Sequence, residues 1–215
     1  MSIKNCGDHH HYKRRKLYRR LLIGAAVFVG VISFAVFLVW VILRPSKPHF
    51  VLQDVTVYNF SVSATPPYTL TMTMQITISA RNPNDRIGIY YLKLDAFGTY
   101  RNQPITLPTL LPAAYQGHHD VSVWSPFLQG DSVPVSPFVQ ELLGQDLNVG
   151  AVLVNVKIDG RLKWKVGTWV STTYLLNVNC PAYIKFSDRN AASAAVVSVL
   201  KFQLAQGCSV ETGLA

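Results

Sequence analysis

The sequence predicts an all-β fold, a β-sandwich with one short helix, preceded by a single transmembrane α-helix. An uncharged, mostly apolar segment covers residues 21–43, apolar and polar residues alternate from residue 50 onward, and Ser136 and Pro137 provide a single helix-start signal. Several short strands separated by turn residues, with one small helix among them, favour two packed sheets.

The apolar segment at residues 21–43 is long enough to cross a membrane as a helix. Its 23 residues contain no charged side chain, and a helix of this length spans a hydrocarbon core of about 30 Å. A buried core helix rarely has this length without a charge. A cleaved signal peptide has a shorter apolar region of about 7–15 residues, followed by a small-residue cleavage site. We therefore expect a retained signal-anchor helix.

Basic residues before the apolar segment predict its orientation. Only Arg44 and Lys47 follow it closely. An excess of Lys and Arg marks the cytoplasmic side, so we expect the N-terminus in the cytosol and the remainder of the chain outside. The tail should also attract anionic lipid headgroups. The flanking basic residues are Lys13, Arg14, Arg15, Lys16, Arg19 and Arg20.

The distribution of charge argues against nucleic-acid binding. Of the net charge of +9, the 20 N-terminal residues carry +6, from seven basic residues and one acidic residue. The chain after residue 43 carries only +3, from thirteen basic and ten acidic residues. No basic helix or aromatic RNA-binding signature supports a nucleic-acid partner.

These features predict five regions. Residues 1–20 form a disordered basic cytosolic tail, and residues 21–43 form the membrane helix. Residues 44–49 contain two prolines and form a short linker. The β-domain covers residues 50–208, and residues 209–215 form a C-terminal tail.

Strict alternation over residues 70–80 is the clearest strand signal, because it places apolar side chains on one face only. Asp159 and Gly160 predict a hairpin turn. The Ser136–Pro137 pair predicts an N-cap and first helical turn, for a helix that ends near residues 144–147. The predicted strands are 50–62, 70–80, 91–101, 117–124, 152–158, 161–166 and 172–178.

Two features would depend on an extracellular location. Cys180 and Cys208 are candidates for a disulfide closing a loop of 28 residues, since disulfides persist outside the cytosol. Asn59 begins an Asn-Phe-Ser sequon, which is either a glycosylation site or a chance triplet within a strand. Cys6 would be cytosolic, either palmitoylated or a plain thiol.

The residues with catalytic potential do not form a recognisable site. Motifs for a serine nucleophile, a zinc protease, a phosphate loop or a dinucleotide fold are missing from the sequence. His118 and His119 are adjacent on a predicted strand, where they would point to opposite faces. We therefore expect no enzyme activity, no cofactor and no metal site. The sequence does not specify the oligomeric state.

Three ordered segments resemble the plant NHL family (non-race-specific disease resistance and harpin-induced-like proteins), whose members carry a late embryogenesis abundant type-2 domain. They are residues 80–91 (ARNPNDRIGIYY), residues 112–118 (PAAYQGH) and residues 160–167 (GRLKWKVG), continued by residues 176–181. Leu92 departs from the acidic residue that is frequent in the family. The matching positions are Asn82, Pro83, Asn84, Ile89, Tyr90, Tyr115, Gln116, Gly117, Lys163, Trp164, Val166 and Gly167.

This resemblance implies a non-enzymatic plant protein with an immunoglobulin- or fibronectin-like sandwich. It also implies a role in pathogen defence, the hypersensitive response and stress, at the plasma membrane with plasmodesmata as an alternative location. Our leading hypothesis is an interaction module whose partner is a protein or a cell-wall component. The motif residues would shape its loops. The alternative hypothesis is a membrane-tethered stress protectant or a carrier of apolar ligands.

Overall fold

A computed structural model describes residues 8–42, 45–63, 65–185 and 200–214 of the chain. The chain divides into two compact units, Met1–Arg44 and Pro45–Ala215. The first unit contains one helix, α1, Asp8–Ile42. The second contains α2, Pro137–Val149, and the strands β1 His49–Val62, β2 Thr69–Arg81, β3 Gly88–Tyr100, β4 Gln103–Pro104, β5 Thr109–Leu111, β6 Ala114–Gln116, β7 Val121–Trp124, β8 Phe127–Pro134, β9 Ala151–Val166, β10 Trp169–Val170, β11 Tyr174–Lys185, β12 Leu200–Gly207 and β13 Ser209–Leu214.

Helix α1 contains the predicted apolar segment up to Ile42, and residue 43 lies outside the described part of the chain. Over Tyr18–Phe37 its mean hydropathy is 2.3 and its side chains are exposed, so by length and composition this segment can cross a membrane. The expected disorder of the basic tail is wrong for residues 8–20, which belong to the helix. The physical reason is that Lys and Arg are good helix formers and extend a helix already nucleated by the apolar segment. Residues 1–7 of the tail lie outside the described part of the chain.

The second unit consists of two antiparallel sheets in a sandwich-like arrangement, which confirms the predicted fold class. The first sheet has the order β12-β1-β2-β7, with β8 also paired to β2. The second has the order β13-β11-β9-β3-β4, with β5 and β6 on β3 and β10 on β9. Strands β2 and β9 provide the clearest inward-facing apolar rows.

The alternation over residues 70–80 has the predicted consequence. Every apolar member of the row is at most 1% exposed, while the intervening polar residues are half-buried. The row faces the core between the sheets, where it belongs to one buried cluster with apolar residues of β3 and β9. Its members are Leu70, Met72, Met74, Ile76, Ile78 and Ala80.

Helix α2 begins where the sequence predicts. The Ser136 hydroxyl oxygen accepts a hydrogen bond from the Val139 N–H at 3.2 Å, and Pro137 occupies the first turn. The helix continues to Val149, slightly beyond the predicted end, and Gly150 closes it with φ of 83°. A left-handed residue at this position is best supplied by glycine.

The predicted hairpin turn at Asp159 and Gly160 is wrong. Strand β9 runs without interruption from Ala151 to Val166, and Gly160 pairs with Leu94 on one side and Leu176 on the other. Two neighbouring strands supply more hydrogen bonds than a turn could, so long-range pairing overrides the local signal. The glycine is needed here because an added Cβ would collide with the Lys93 carbonyl oxygen. The chain turns instead at Gly167, with φ of 58°, between β9 and β10.

The C-terminal residues 209–214 do not form the predicted tail. They form β13, which pairs along β11 from Ser209↔Asn179 to Leu214↔Tyr174. Their side chains are exposed or half-buried, so hydrophobic alternation gave no signal for this strand. Strand β8 was also missed, and the expected strand at residues 117–124 begins only at Val121.

Candidate functional site

The Asn82 side chain lies at the centre of a buried hydrogen-bond network at one end of the sandwich. Asn82 is 0% exposed. Its amide nitrogen donates to the carbonyl oxygens of Ile87, at 2.7 Å, and Gly117, at 2.8 Å. Its amide oxygen accepts from the backbone N–H and the side-chain amide of Asn84. One side chain thereby holds the β2–β3 turn against the loop that follows β6.

Asn84 connects this turn to the segment before β1. Its side-chain oxygen accepts from the Ser46 N–H, and its nitrogen donates to the Ser46 carbonyl oxygen, both at 2.8 Å. Ser46 belongs to the predicted linker, yet the sandwich holds it by two hydrogen bonds. Pro83, between the two asparagines, lies in the same turn and is half-buried.

Gln116 continues the network into the core. It is 0% exposed, and its amide nitrogen donates to the carbonyl oxygens of Ala80, at 2.6 Å, and Asp120, at 3.0 Å. Its oxygen accepts from the Tyr91 hydroxyl at 3.0 Å. Gly117 contributes the carbonyl oxygen that Asn82 binds. All polar atoms of the glutamine side chain are therefore used inside the protein.

Tyr91 joins the network to an aromatic cluster. Burial raises the pKa of the Tyr91 hydroxyl well above its ordinary value. Its ring meets Phe50 and Trp124 edge-on, with centroid distances of 6.2 and 5.6 Å. The Trp124 indole nitrogen donates to the Pro112 carbonyl oxygen at 3.3 Å. These rings are packing elements of the core.

Tyr90 and Tyr115 lie on the opposite, solvent-facing side of the second sheet. They pair across β3 and β6, and their ring centroids are 4.6 Å apart. The Lys165 ammonium lies 5.1 Å from the Tyr115 centroid and 3.3 Å from the Tyr90 hydroxyl oxygen. The hydrogen bond to Tyr90 raises the pKa of Lys165. Gly88 leaves space for the Tyr115 ring, because a Cβ there would lie 2.6 Å from the tyrosine oxygen.

The remaining motif residues divide between core and surface. Ile89 and Trp164 are buried, and the backbone N–H of Trp164 donates to the Ser171 hydroxyl oxygen at 3.0 Å. Val166 packs against the core from a partly buried position. Gly167 forms the turn into β10, and Lys163 projects from the outer face of β9.

Cys180 and Cys208 form the predicted disulfide, which is confirmed with Cα atoms 4.3 Å apart. Cys180 lies on β11, in the second sheet. Cys208 lies between β12, which pairs with the first sheet, and β13, which pairs with the second. The bridge therefore fixes the point where the chain passes from one sheet to the other. The Cys208 N–H also donates to the Phe50 carbonyl oxygen at 3.0 Å.

The structure locates Asn59 on β1, opposite Thr73 and half-buried. Its glycosylation stays a prediction. All six membrane-flanking basic residues lie on α1. The side chains of Arg19 and Arg20 are exposed. The side chains of the other four are outside the described part of the chain.

His118 and His119 do not lie together in a metal or catalytic site. His118 is exposed, and His119 pairs with the Asp85 carboxylate across the loop. Among the residues that the structure describes, no group of three or more His, Cys, Asp or Glu side chains could hold a metal ion.

Sequence reasoning missed two adjoining surface cavities on the outer face of the second sheet, of about 400 and 360 Å³. Both are lined by Asp159 and Asn177 and by other residues of β3, β9 and β11, and the two cavities together are called the cleft below. Arg161 and Lys93 line the smaller cavity. Alternation along β9 predicts which side chains face outward, but the sequence alone cannot show that they line a concave surface.

Comparison with known proteins places these features in context. Residues 77–180 match the family described as late embryogenesis abundant protein (LEA_2). The chain is 49% identical to NDR1/HIN1-like protein 1 of Arabidopsis thaliana, over 97% of this chain and 99% of that protein. It is 44% identical to NDR1/HIN1-like protein 12 of the same plant, over 98% and 99%. NDR1/HIN1-like protein 26 is 34% identical, over 86% and 87%.

A solved structure, titled crystal structure of protein from Archaeoglobus fulgidus, covers 67% of this chain and 99% of its own. Its sequence identity is 7% and its TM-score is 0.32.

Proposed function

This chain belongs to the NDR1/HIN1-like family with a late embryogenesis abundant type-2 domain, and from that premise we propose that it is a single-pass membrane-anchored, non-enzymatic interaction protein. The family is one of plant defence and stress. We propose further that the β-domain is extracellular and that the protein acts at the plasma membrane. Its partner would be a protein or a component of the cell wall.

The observation that carries this proposal is the Cys180–Cys208 bridge in a chain that also has an apolar helix with a basic flank. A disulfide persists in oxidising compartments and is rare in the cytosol. The basic residues before the helix favour a cytosolic N-terminus. Both arguments support a β-domain that enters the lumen of the secretory pathway and hence faces the cell exterior.

The use of the motif side chains supports a binding role. The side chains of Asn82, Asn84 and Gln116 donate their hydrogen bonds to backbone carbonyl oxygens of neighbouring segments. We therefore assign them a structural role in shaping the loops and no catalytic role. Tyr115 is exposed and Lys163 is partly exposed, so both are available to a partner. The cleft on the second sheet is lined mainly by polar side chains, which suits a polar partner better than the apolar ligand of the carrier hypothesis.

Protease protection on sealed microsomes tests the topology. The full chain carries a C-terminal tag, and protease is added with and without detergent. The proposal predicts that the tag is protected until detergent opens the vesicles. Digestion in intact vesicles would assign the β-domain to the cytosol and would favour the stress-protectant hypothesis. An Asn59→Gln variant, analysed with and without glycosidase, tests the sequon in the same samples.

A further inference from the structure

Three cations project in a row from the outer face of β9. Arg161, Lys163 and Lys165 alternate with the buried residues Leu162 and Trp164, so all three face away from the core. Positions two apart on a strand are separated by about 6.6 Å, and the row therefore extends over about 13 Å. Strand β3 pairs with β9 along the whole row, while on the other side of β9 the strand β11 pairs with Arg161 and the short strand β10 pairs with Lys165.

Most of the positive charge in this row is not neutralised within the protein. Within the described part of the chain, Arg161 and Lys163 form no side-chain hydrogen bond or ion pair, and the hydrogen bond of Lys165 is to the neutral Tyr90 hydroxyl. By contrast, Lys93 on the neighbouring strand pairs with Asp95 at 2.9 Å. The row thus retains charge that can attract an anion.

Aromatic rings border the same row. Tyr90 is directly opposite Lys163 in the register of β3 and β9, and Tyr115 packs beside Tyr90. Tyr115 is 47% exposed. Aromatic rings offer flat apolar faces with a polar hydroxyl at the edge, a combination suited to the C–H faces and hydroxyl groups of sugar rings.

We propose that this basic strip, made of Arg161, Lys163, Lys165, Tyr90 and Tyr115, binds a linear acidic polysaccharide. Carboxylates carried at intervals along the polymer would meet the evenly spaced cations, and its sugar rings would pack on the tyrosines. Asp95 and Asp159 lie beyond Arg161 and repel an anionic chain, so the polymer extends from Arg161 toward Lys165. This inference rests on the proposed function, because it requires an extracellular β-domain.

The shape of the surface favours a polymer over a lipid bilayer. A bilayer presents a broad plane and is usually contacted by projecting loops, whereas these cations lie on a central strand, beside carboxylates on the same face. A single extended chain can follow a strand and avoid those carboxylates. The extracellular location in the proposed function also separates this surface from cellular nucleic acids.

The test uses the full chain in phosphatidylcholine nanodiscs and polygalacturonate as the probe, with the dissociation constant measured by biolayer interferometry. The test variant combines Arg161→Gln and Lys163→Gln. The matched control combines Arg81→Gln and Lys185→Gln, which removes the same charge at exposed positions away from the strip. Both variants must retain the Cys180–Cys208 bridge and the parent's near-ultraviolet circular dichroism.

We expect the strip variant to bind polygalacturonate about tenfold more weakly, and the control to bind nearly as the parent does. Neutral dextran should not bind, and higher salt should weaken binding. Because the basic tail could bind a polyanion by itself, the measurement is repeated with Lys13→Gln, Arg14→Gln, Arg15→Gln and Lys16→Gln. The effect of the strip variant should persist in that background.

Equal losses in the strip variant and the control, or equal binding of dextran, would overturn the inference. So would a loss confined to the tail variant. If phosphatidylserine vesicles bind more tightly than polygalacturonate and depend on the same two residues, the ligand is a lipid and the proposal is wrong. None of these results bears on the protease-protection experiment, so failure of the binding test and failure of the proposed topology are distinguishable.

Discussion

The side-chain amide of Asn84 forms two 2.8 Å hydrogen bonds with the backbone of Ser46, one as acceptor and one as donor. The two residues are separated by 38 positions in sequence, and β1 and β2 lie between them. Asn84 is only 7% exposed, so these bonds are largely protected from water. The contact fixes the entry of the chain into the β-domain on the same turn that Asn82 holds.

Replacing Asn84 with alanine should therefore destabilise the β-domain. The change removes both bonds to Ser46 and leaves two backbone groups without partners, at a cost of about 1–3 kcal/mol. Urea unfolding of the full chain in detergent micelles, followed by near-ultraviolet circular dichroism, measures the difference. The matched control is Asn148→Ala, at an exposed position of α2, which should change stability by less than about 0.5 kcal/mol. Equal effects of the two changes would contradict the role assigned to Asn84.

Tyr91 should give the domain a measurable sensitivity to alkaline pH. Burial raises the pKa of its hydroxyl above the ordinary value of 10.0. Above that value the unfolded chain loses the proton while the folded protein keeps it, so stability is complete at lower pH and falls as pH rises. Tyr91→Phe lacks this ionisable hydroxyl, so between about pH 9 and pH 11 it should lose less stability than the parent protein does.

The same variant carries a cost at neutral pH. Phenylalanine cannot donate to the Gln116 oxygen, so Tyr91→Phe should be less stable by about 1–2 kcal/mol at pH 7. Tyr183→Phe is the control, since Tyr183 is 57% exposed. Chemical unfolding at each pH reports both effects. An alkaline loss in Tyr91→Phe as large as in the parent would show that another group is responsible.

Gly160→Ala should destabilise the domain strongly, although glycine is usually a poor strand residue. The added Cβ would meet the carbonyl oxygen of Lys93 and approach the Leu94 side chain, 2.5 Å from its Cδ2 atom. Neither β3 nor β9 can move freely in a central position, and we expect a cost of about 3 kcal/mol. Gly213→Ala on β13 is the matched control, because nothing lies within 4 Å of its Cβ position. Thermal unfolding compares the two, and a mild effect at Gly160 would imply that the strands are less tightly paired there.

Loss of the disulfide should lower stability more than any single hydrogen bond. Replacing Cys180 and Cys208 together with serine opens a loop of 28 residues, for which the chain-entropy estimate is about 3–4 kcal/mol. The double change avoids an unpaired thiol. Cys6→Ser should leave urea unfolding unchanged, since Cys6 does not belong to the bridge. If reduction of the parent protein has no effect on unfolding, the bridge does not have the stabilising role described here.

Much of the sandwich could be predicted because half-buried strands impose period-two alternation on their residues. Residues 70–80 show this directly, as does the capped start of α2 at Ser136. The aspartate–glycine pair at 159–160 gave a wrong turn prediction, because a turn signal depends on local sequence only. The pair lies within β9, where its conformation is determined by pairing with β3 and β11. The residues of β13 are exposed or half-buried and give no clear hydrophobic alternation, and only their pairing with β11 identifies them as a strand.

The site was less predictable than the fold. The turn chemistry of Asn82 and Asn84 could be recognised, but their buried bonds to Gly117 and Ser46 depend on contacts between distant segments. In the same way, the sequence shows the alternation around Lys163 without showing that Tyr90 and Tyr115 border it. The basic strip becomes apparent only when the register of β3, β6 and β9 is known.

The most direct test of an extracellular β-domain is the redox state of its cysteines in living plant cells. A Cys6→Ser chain is expressed, free thiols are trapped with a maleimide of high mass during lysis, and gel mobility is compared with and without prior reduction. We predict no shift before reduction and a double shift after it, because Cys180 and Cys208 are bridged. A double shift without reduction would mean that both thiols are free in the cell, and it would contradict the extracellular assignment.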